Sequence, residues 1–164
     1  VRFNSRSVIS ISPKSHVTIG DAFVLNSGPE SGVVGSTPSK IIVKKGAMLS
    51  IGNNTGMSSV LIYCSDSIRI GHNVNVGGGT MINDSNHHST DWHDREDRRR
   101  DVQNAQSAPI VIGDLVFIGA RCIINKGVTI GEKSVIAAGS VVVKDIPAHC
   151  IAGGNPCKVI KFFD

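Results

Sequence analysis

An aliphatic residue that returns every six positions dominates the second half of this 164-residue chain. The series runs Ile112, Ile118, Ile124, Ile130, Ile136 and Val142. Four of the five residues that follow its first five members are Gly or Ala, as in IGDLVF, IGARCI and IGEKSV. Similar hexads begin earlier, at Ile19, Ile51, Ile70 and Val76.

A period of six matches neither the 3.6-residue period of a helix nor the simple alternation of a strand. It predicts a short strand and a turn, repeated, with Gly, Asn or Asp tolerating the turn dihedrals. Three such units close a triangular coil of 18 residues, and successive coils stack about 4.8 Å apart. We therefore predict an all-β protein with a parallel β-helix as a single domain over residues 1–164. An irregular N-terminal portion is expected at 1–40 and a C-terminal extension at 147–164.

The composition suits such a core and argues against several classes of function. Aromatic residues make up only 4% of the chain, so the core must come from stacked Ile, Val and Ala. The net charge is +4, but no basic run is interleaved with aromatics, and a nucleic-acid partner is not expected. No run approaches the roughly 20 apolar residues of a membrane span. The four cysteines lack CxxC spacing and indicate buried free thiols.

A long polar passage interrupts the repeat. The phase is lost at Asn83 and resumes at Ile110, so residues 83–109 are predicted to protrude from one corner as a single long loop. Loops of this length are usually functional or disordered. The tip, DREDRRRD, is expected to be a solvated surface. The alternative is that its three consecutive arginines contact phosphates or a neighbouring subunit.

The [IV]-G-x-x-small-x array resembles the hexapeptide-repeat acetyltransferase superfamily, and within it the sugar, galactoside and maltose O-acetyltransferases. The resemblance covers roughly Ile41 to Lys161. It implies that the β-helix is left-handed, which general crossover rules do not predict. It also implies a homotrimer with active sites between subunits.

The segment NDSNHHSTD resembles the passage that carries the catalytic histidine in these enzymes. This similarity implies that His88 is the catalytic base, with His87 as the second choice. An imidazole, with an ordinary pKa near 6.5, can take the proton of an acceptor hydroxyl as it attacks a thioester. Direct transfer then passes through a tetrahedral oxyanion, for which main-chain N–H groups are suitable donors.

The resemblance further assigns residues to the two substrates, a small hydroxylated acceptor and acetyl-CoA. The acceptor-binding residues are expected to be Asp84, Asn86, Trp92 and Phe117. The residues expected to bind acetyl-CoA are Gly119, Ala120, Ala138, Gly139, Lys144 and Lys158. Small residues let the backbone approach the pantetheine arm, and lysines suit the nucleotide phosphates. Alternatively, the small residues are present because they pack in the coil, and Asp84 and Asn86 are present because they cap the loop.

These features predict a CoA-dependent O-acetyltransferase that acts on a hydroxyl of a sugar or glycan precursor and requires no metal. A cytoplasmic role in bacterial polysaccharide biosynthesis is expected from the resemblance. Acetylation of an amino sugar or of serine stays open. A zinc-dependent carbonic anhydrase-like site is a further alternative, for which the histidines are His72, His87, His88 and His93. Metal-binding histidines are expected on rigid strands, however, and the last of these lies in the predicted loop.

Overall fold

Three parallel sheets form the three faces of a prism in this computed structural model, which describes residues 1–28 and 37–164. The eight-stranded sheet comprises β1 (Arg2–Asn4), β4 (Val24–Asn26), β7 (Gly56–Ser58), β10 (Asn75–Val76), β13 (Phe117–Ile118), β16 (Val135–Ile136), β18 (Cys150–Gly153) and β19 (Lys158–Phe162). The six-stranded sheet comprises β2 (Val8–Ile11), β5 (Lys40–Val43), β8 (Leu61–Cys64), β11 (Met81–Asn83), β14 (Ile123–Asn125) and β17 (Val141–Val142). The five-stranded sheet comprises β3 (His16–Ile19), β6 (Met48–Ile51), β9 (Ser67–Ile70), β12 (Ile110–Ile112) and β15 (Thr129–Ile130).

Each sheet contributes a buried column of aliphatic side chains to the core. The columns are Ile51, Ile70, Ile112 and Ile130; Ile62, Ile82, Ile124 and Val142; and Met57, Val76, Ile118 and Ile136. Ile112 pairs with Ile130, 18 residues later in the sequence. The six-residue period therefore marks the residues that point into the core, one on each face of the prism. After three units, or 18 residues, the chain returns to the same face.

Close approach of successive coils explains the glycines that follow the aliphatic residues. A Cβ atom on Gly119 would lie 2.5 Å from the backbone nitrogen of Ala138, and one on Gly113 would lie 2.6 Å from that of Glu132. A Cβ atom cannot lie this close to a backbone atom, so coil stacking by itself is enough to require glycine at these turns.

The N-terminal residues differ from the expected irregular portion. Strands β1, β2 and β3 pair in parallel with β4, β5 and β6, and they form the first coil of the stack. The hexad pattern marks only the end of β3, at Ile19, because β2, with the sequence VISI, is not followed by the glycine of the repeat. Residues 29–36 of this portion lie outside the described residues.

The C-terminal residues close the other end of the stack. Strand β18 pairs in parallel with β16, and β19 turns back to pair with β18 in antiparallel orientation. The segment expected as an extension therefore supplies the last strand of the coil and a cover for its edge.

Between β11, which ends at Asn83, and β12, which begins at Ile110, an insertion leaves the stack. It emerges at the corner where the six-stranded sheet meets the five-stranded sheet, here called the insertion corner. It contains a 3-10 turn at Asp94–Glu96 and helix α1 at Arg98–Gln103. The predicted all-β coil with one long protruding loop is confirmed. No described helix has the length and apolar character to cross a membrane.

Candidate active site

Short polar side chains, rather than an apolar core, hold the insertion in shape. The Asp97 carboxylate caps α1 by accepting hydrogen bonds from the backbone N–H groups of Arg99 and Arg100. The Ser89 hydroxyl donates to Asp94 at 2.8 Å, and the Arg95 guanidinium donates to the Ser89 carbonyl at 2.7 Å. These bonds fold the chain between His88 and α1 into a compact turn.

His88 and Asp101 form the central pair of the insertion. His88 Nδ1 lies 2.6 Å from Asp101 Oδ2, and Asp101 Oδ1 accepts a hydrogen bond from the Ser89 backbone N–H at 2.9 Å. The Asp101 side chain is 11% exposed, whereas that of His88 is 68% exposed. The hydrogen bond from His88 holds the pKa of Asp101 below its usual range. An ionised carboxylate only accepts, so Nδ1 carries the proton, and the lone pair of a neutral ring is on Nε2.

His87 has a different environment from its neighbour. Its backbone adopts a left-handed conformation with φ of 62°, which His tolerates better than most residues. Its ring packs edge-to-face on Tyr63, with the ring centroids 4.3 Å apart. The ring of His87 therefore packs on the six-stranded sheet, whereas the ring of His88 is paired with a carboxylate.

Asp84 does not occupy the expected acceptor-binding position. Its side chain is 0% exposed, and its two carboxylate oxygens accept hydrogen bonds from the backbone N–H groups of Ser65 and Asp66 at 2.7 and 2.9 Å. Burial raises the pKa of Asp84, and burial together with the Asp84 charge raises the pKa of the Cys64 thiol to about 12. Asp84 therefore closes the turn of the adjacent coil, because a carboxylate without exposed surface cannot touch a ligand.

Two other expected acceptor residues lie in the insertion with His88. Asn86 is half-buried, and its backbone N–H donates to the Gln106 carbonyl at 2.9 Å. The Trp92 side chain is 58% exposed and stacks on His93, with the ring centroids 3.6 Å apart. His93 is held in turn by Asp91, whose Oδ1 lies 2.8 Å from its Nδ1. The indole face opposite His93 is thus open to a ligand.

The expected acetyl-CoA residues gather at a second corner, where the eight-stranded sheet meets the six-stranded sheet; we call it the glycine corner. Gly119 and Ala120 follow β13, and Ala138 and Gly139 follow β16, one coil later. The Gly139 N–H donates to the Ala120 carbonyl at 2.8 Å. Ala138 and Gly139 are exposed, whereas Gly119 is buried in the stack. Phe117, 49% exposed on β13, also lies beside this corner and not at the insertion.

The two lysines of the prediction lie apart from each other. The turn before Lys158 covers the glycine corner, since the Cys157 N–H donates to the Val141 carbonyl at 2.8 Å. Lys144 follows β17 and lies at the insertion corner instead. Both side chains are exposed.

The histidines of the zinc alternative are dispersed. His72 lies at the remaining corner, where its Nδ1 accepts a hydrogen bond from the Asn53 N–H at 3.0 Å. Among the described residues, no group of three or more His, Cys, Asp or Glu side chains is placed to hold a metal ion.

Comparisons with known proteins agree with this architecture. Residues 109–144 match a family described as the hexapeptide repeat of succinyl-transferase. The galactoside O-acetyltransferase of Escherichia coli is 38% identical over 117 residues, which are 71% of this chain and 55% of that protein. The structure of a maltose O-acetyltransferase from Clostridium difficile superposes with a TM-score of 0.60 and 26% identity, covering 96% of this chain and 71% of that one. A hexapeptide-repeat acetyltransferase from Vibrio cholerae, complexed with acetyl coenzyme A, gives a TM-score of 0.58 and 28% identity over 96% and 69%.

In sequence and in structure, the chain is therefore similar to hexapeptide-repeat acetyltransferases. The predicted left-handed parallel β-helix is thereby confirmed in its handedness as well as its coils. The chain spans little more than half the length of the galactoside O-acetyltransferase that it matches.

Reasoning from the sequence missed two residues of the candidate site. Asp101 lies in the charged run that was expected to be solvated, 13 residues after His88. Asp97, a residue type that is favoured at helix N-caps, is the sequence signal for α1, and α1 is the element that places Asp101. Tyr63 precedes the insertion by a full coil, and the sequence offers no signal for its contact with His87.

Proposed function

We propose that this chain is a subunit of an acetyl-CoA-dependent O-acetyltransferase that acetylates a hydroxyl of a sugar or glycan precursor. The observation that carries the proposal is the His88–Asp101 pair, because Asp101 holds the Nδ1 proton and directs Nε2 toward solvent. A general base needs both properties, a fixed tautomer and an accessible lone pair.

This geometry supports the following reaction. His88 Nε2 removes the proton of the acceptor hydroxyl while its oxygen attacks the thioester carbonyl carbon. The tetrahedral intermediate collapses with cleavage of the C–S bond, and the CoA sulfur takes the proton back from His88. The ionised Asp101 stabilises the transient imidazolium, and direct transfer requires no acyl-enzyme.

The separation of the two corners favours an active site between subunits. His88 and Trp92 lie at the insertion corner, whereas Ala138, Gly139 and Lys158 lie at the glycine corner of the same chain. A homotrimer places the insertion corner of one subunit against the glycine corner of the next. In this arrangement the base and the thioester meet across the interface.

The glycine corner fits the pantetheine arm of acetyl-CoA. Apart from its chain neighbours, no described atom lies within 4 Å of the position that a Cβ would take on Gly139, so the backbone there is open to close approach. Lys158 supplies a positive charge for the phosphates. Stacking of the coils is sufficient to explain why residue 119 is a glycine. In the proposal, Gly119 contributes only its backbone, next to the residues that contact acetyl-CoA.

The relatives supply the class of acceptor. They are named for galactoside and maltose, which are sugars with several hydroxyls. The open face of Trp92 suits the apolar face of a sugar ring, and Asn86 lies two residues before the base. The four cysteines are free and buried, which agrees with a reducing, cytoplasmic setting and with a role in polysaccharide precursor assembly.

An acceptor screen tests the proposal. The protein is incubated with acetyl-CoA and a panel of mono- and disaccharides, amino sugars and serine, and release of free thiol is followed. We expect turnover with a sugar hydroxyl and its loss in His88→Ala. Acetylation of amino sugars or serine alone would move the assignment to those acceptors. Turnover that survives the substitution would overturn the role of His88.

A further inference from the structure

Helix α1 begins with three consecutive arginines, which is electrostatically unfavourable. The first turn of a helix carries a partial positive charge, so cations there weaken the helix. The side chains of Arg98 and Arg99 are exposed, and within the described part of the chain they form no hydrogen bond or ion pair. The Asp97 cap offsets part of this cost at the backbone, but it leaves the guanidinium groups of Arg98 and Arg99 without a partner among the described residues.

No described carboxylate forms an ion pair with the guanidinium of Arg98 or Arg99. Five of the six carboxylates of the insertion accept hydrogen bonds from other groups: Asp84, Asp91, Asp94, Asp97 and Asp101. The sixth, Glu96, is exposed. The other two arginines of the insertion donate to backbone carbonyls, Arg95 to that of Ser89 and Arg100 to that of His93. Arg98 and Arg99 are therefore the cations of the insertion that are available to a ligand.

The position of Arg98 relates it to the reaction site. Arg98 and Asp101 are three residues apart in α1, so they share one helix face, with Cβ atoms about 5–6 Å apart. Asp101 is in direct contact with His88. A guanidinium on a side chain of this length can therefore reach a substituent of a sugar whose hydroxyl lies at His88 Nε2.

We propose that Arg98 and Arg99 form an anion-binding subsite for the acceptor, so that the enzyme prefers a sugar that carries a carboxylate or phosphate over a neutral one. A guanidinium matches the geometry of either oxyanion with two parallel hydrogen bonds. The subsite rests on the proposed acetyl transfer at His88, but it makes a separate claim about which sugar is acetylated.

A pair of double variants tests the subsite. Arg98→Gln/Arg99→Gln is compared with Arg2→Gln/Arg6→Gln, which removes the same charge from exposed positions in the first coil. The acceptors are methyl glucuronide, methyl glucoside 6-phosphate and methyl glucoside. We expect kcat/KM for the two anionic acceptors to fall roughly 10-fold or more in the α1 variant only, as loss of a charged hydrogen bond does. Values for methyl glucoside and the KM for acetyl-CoA are expected to stay unchanged.

Other outcomes contradict the subsite. An equal loss for charged and neutral acceptors indicates a structural role of α1, and a rise confined to the KM for acetyl-CoA assigns the arginines to the cofactor. A response to only one of the two anionic acceptors decides between carboxylate and phosphate and supports the subsite. If wild-type protein acetylates none of the three, the proposed function fails for them. Calorimetric titration with methyl glucuronide and methyl glucoside 6-phosphate then tests binding alone, and lack of binding to wild type overturns the subsite.

Discussion

The stacked coils and the insertion are stabilised by different means. The coils combine parallel backbone ladders with columns of fully buried aliphatic side chains, so their contacts repeat from one turn to the next. The insertion depends on individual hydrogen bonds that Asp carboxylates accept, from backbone N–H groups and from the Ser89 hydroxyl, each made once. Substitutions in the coils should therefore reduce stability and spare chemistry, whereas substitutions in the insertion should do the reverse.

Removal of the base should give the largest effect and the clearest separation between the regions. We expect His88→Ala to lower kcat/KM about 10²- to 10⁴-fold, the usual contribution of a general base. Because the side chain is mostly exposed, the melting temperature should change little. His87→Ala is the matched control, and it should retain most of the turnover while losing its packing on Tyr63. A larger loss in the control would transfer the role of base to His87.

A cavity in the coil should have the opposite effect, lowering stability and leaving turnover nearly unchanged. Ile124 is fully buried in the column between Ile82 and Val142. Ile124→Ala should cost about 2–5 kcal/mol of unfolding free energy, through lost burial and a residual cavity. Chemical denaturation measures the cost, and activity is assayed per folded molecule at low temperature. A loss of turnover comparable to that of His88→Ala would show that coil and site are not separable.

The Asp101→Asn variant tests whether the insertion acts by fixing a tautomer. Both carboxylate oxygens accept hydrogen bonds, from His88 and from the Ser89 N–H, and an amide can accept with only one of its two groups. The amide nitrogen either donates to Nδ1, which moves the ring proton to Nε2, or opposes the Ser89 N–H. We expect a fall in kcat of roughly 10- to 100-fold at unchanged KM for acetyl-CoA. Normal kcat with an unaltered pH profile would contradict the positioning role.

The difference between the two regions also explains why the sequence predicts the coils but not the contacts of the insertion. Inward positions such as Ile112 and Ile130 follow from a period that is set by backbone geometry, and a local pattern is sufficient to find them. The contact between His88 and Asp101, and that between Asp84 and a turn 18 to 19 residues earlier, depend on where two separate turns meet in space. Asp84 and Asp101 are the same residue type in the same polar passage. No property of the local sequence distinguishes the buried structural carboxylate from the one that orients the base.

Those two aspartates should respond to pH in opposite directions. The pKa of Asp84 is raised in the folded state, so its folded form binds the proton more tightly, and its contribution to stability falls as pH rises above the ordinary value of 3.8. The pKa of Asp101 is lowered, so its contribution is complete above 3.8 and is lost as pH falls through the lower folded-state value. Stability differences between wild type and each Asn variant, measured by denaturation at pH values on both sides of 3.8, should therefore have slopes of opposite sign. Slopes of the same sign would contradict the distinction.

The smallest expected effect is on the KM for acetyl-CoA, in a comparison of two glycines that have similar backbone geometry but lie at different corners. Gly139 and Gly46 both adopt positive φ, 75° and 80°, and apart from chain neighbours no described atom lies within 4 Å of a Cβ built on either. Gly46 lies between β5 and β6, at the insertion corner, and Gly139 lies at the glycine corner. Each substitution by Ala should therefore cost about 1 kcal/mol of stability from the left-handed backbone alone. Only Gly139→Ala should raise the KM for acetyl-CoA, because in the proposed function the pantetheine arm approaches the backbone at Gly139 and the added methyl group would obstruct it. Equal KM values in the two variants would remove Gly139 from the cofactor site while leaving the role of His88 intact.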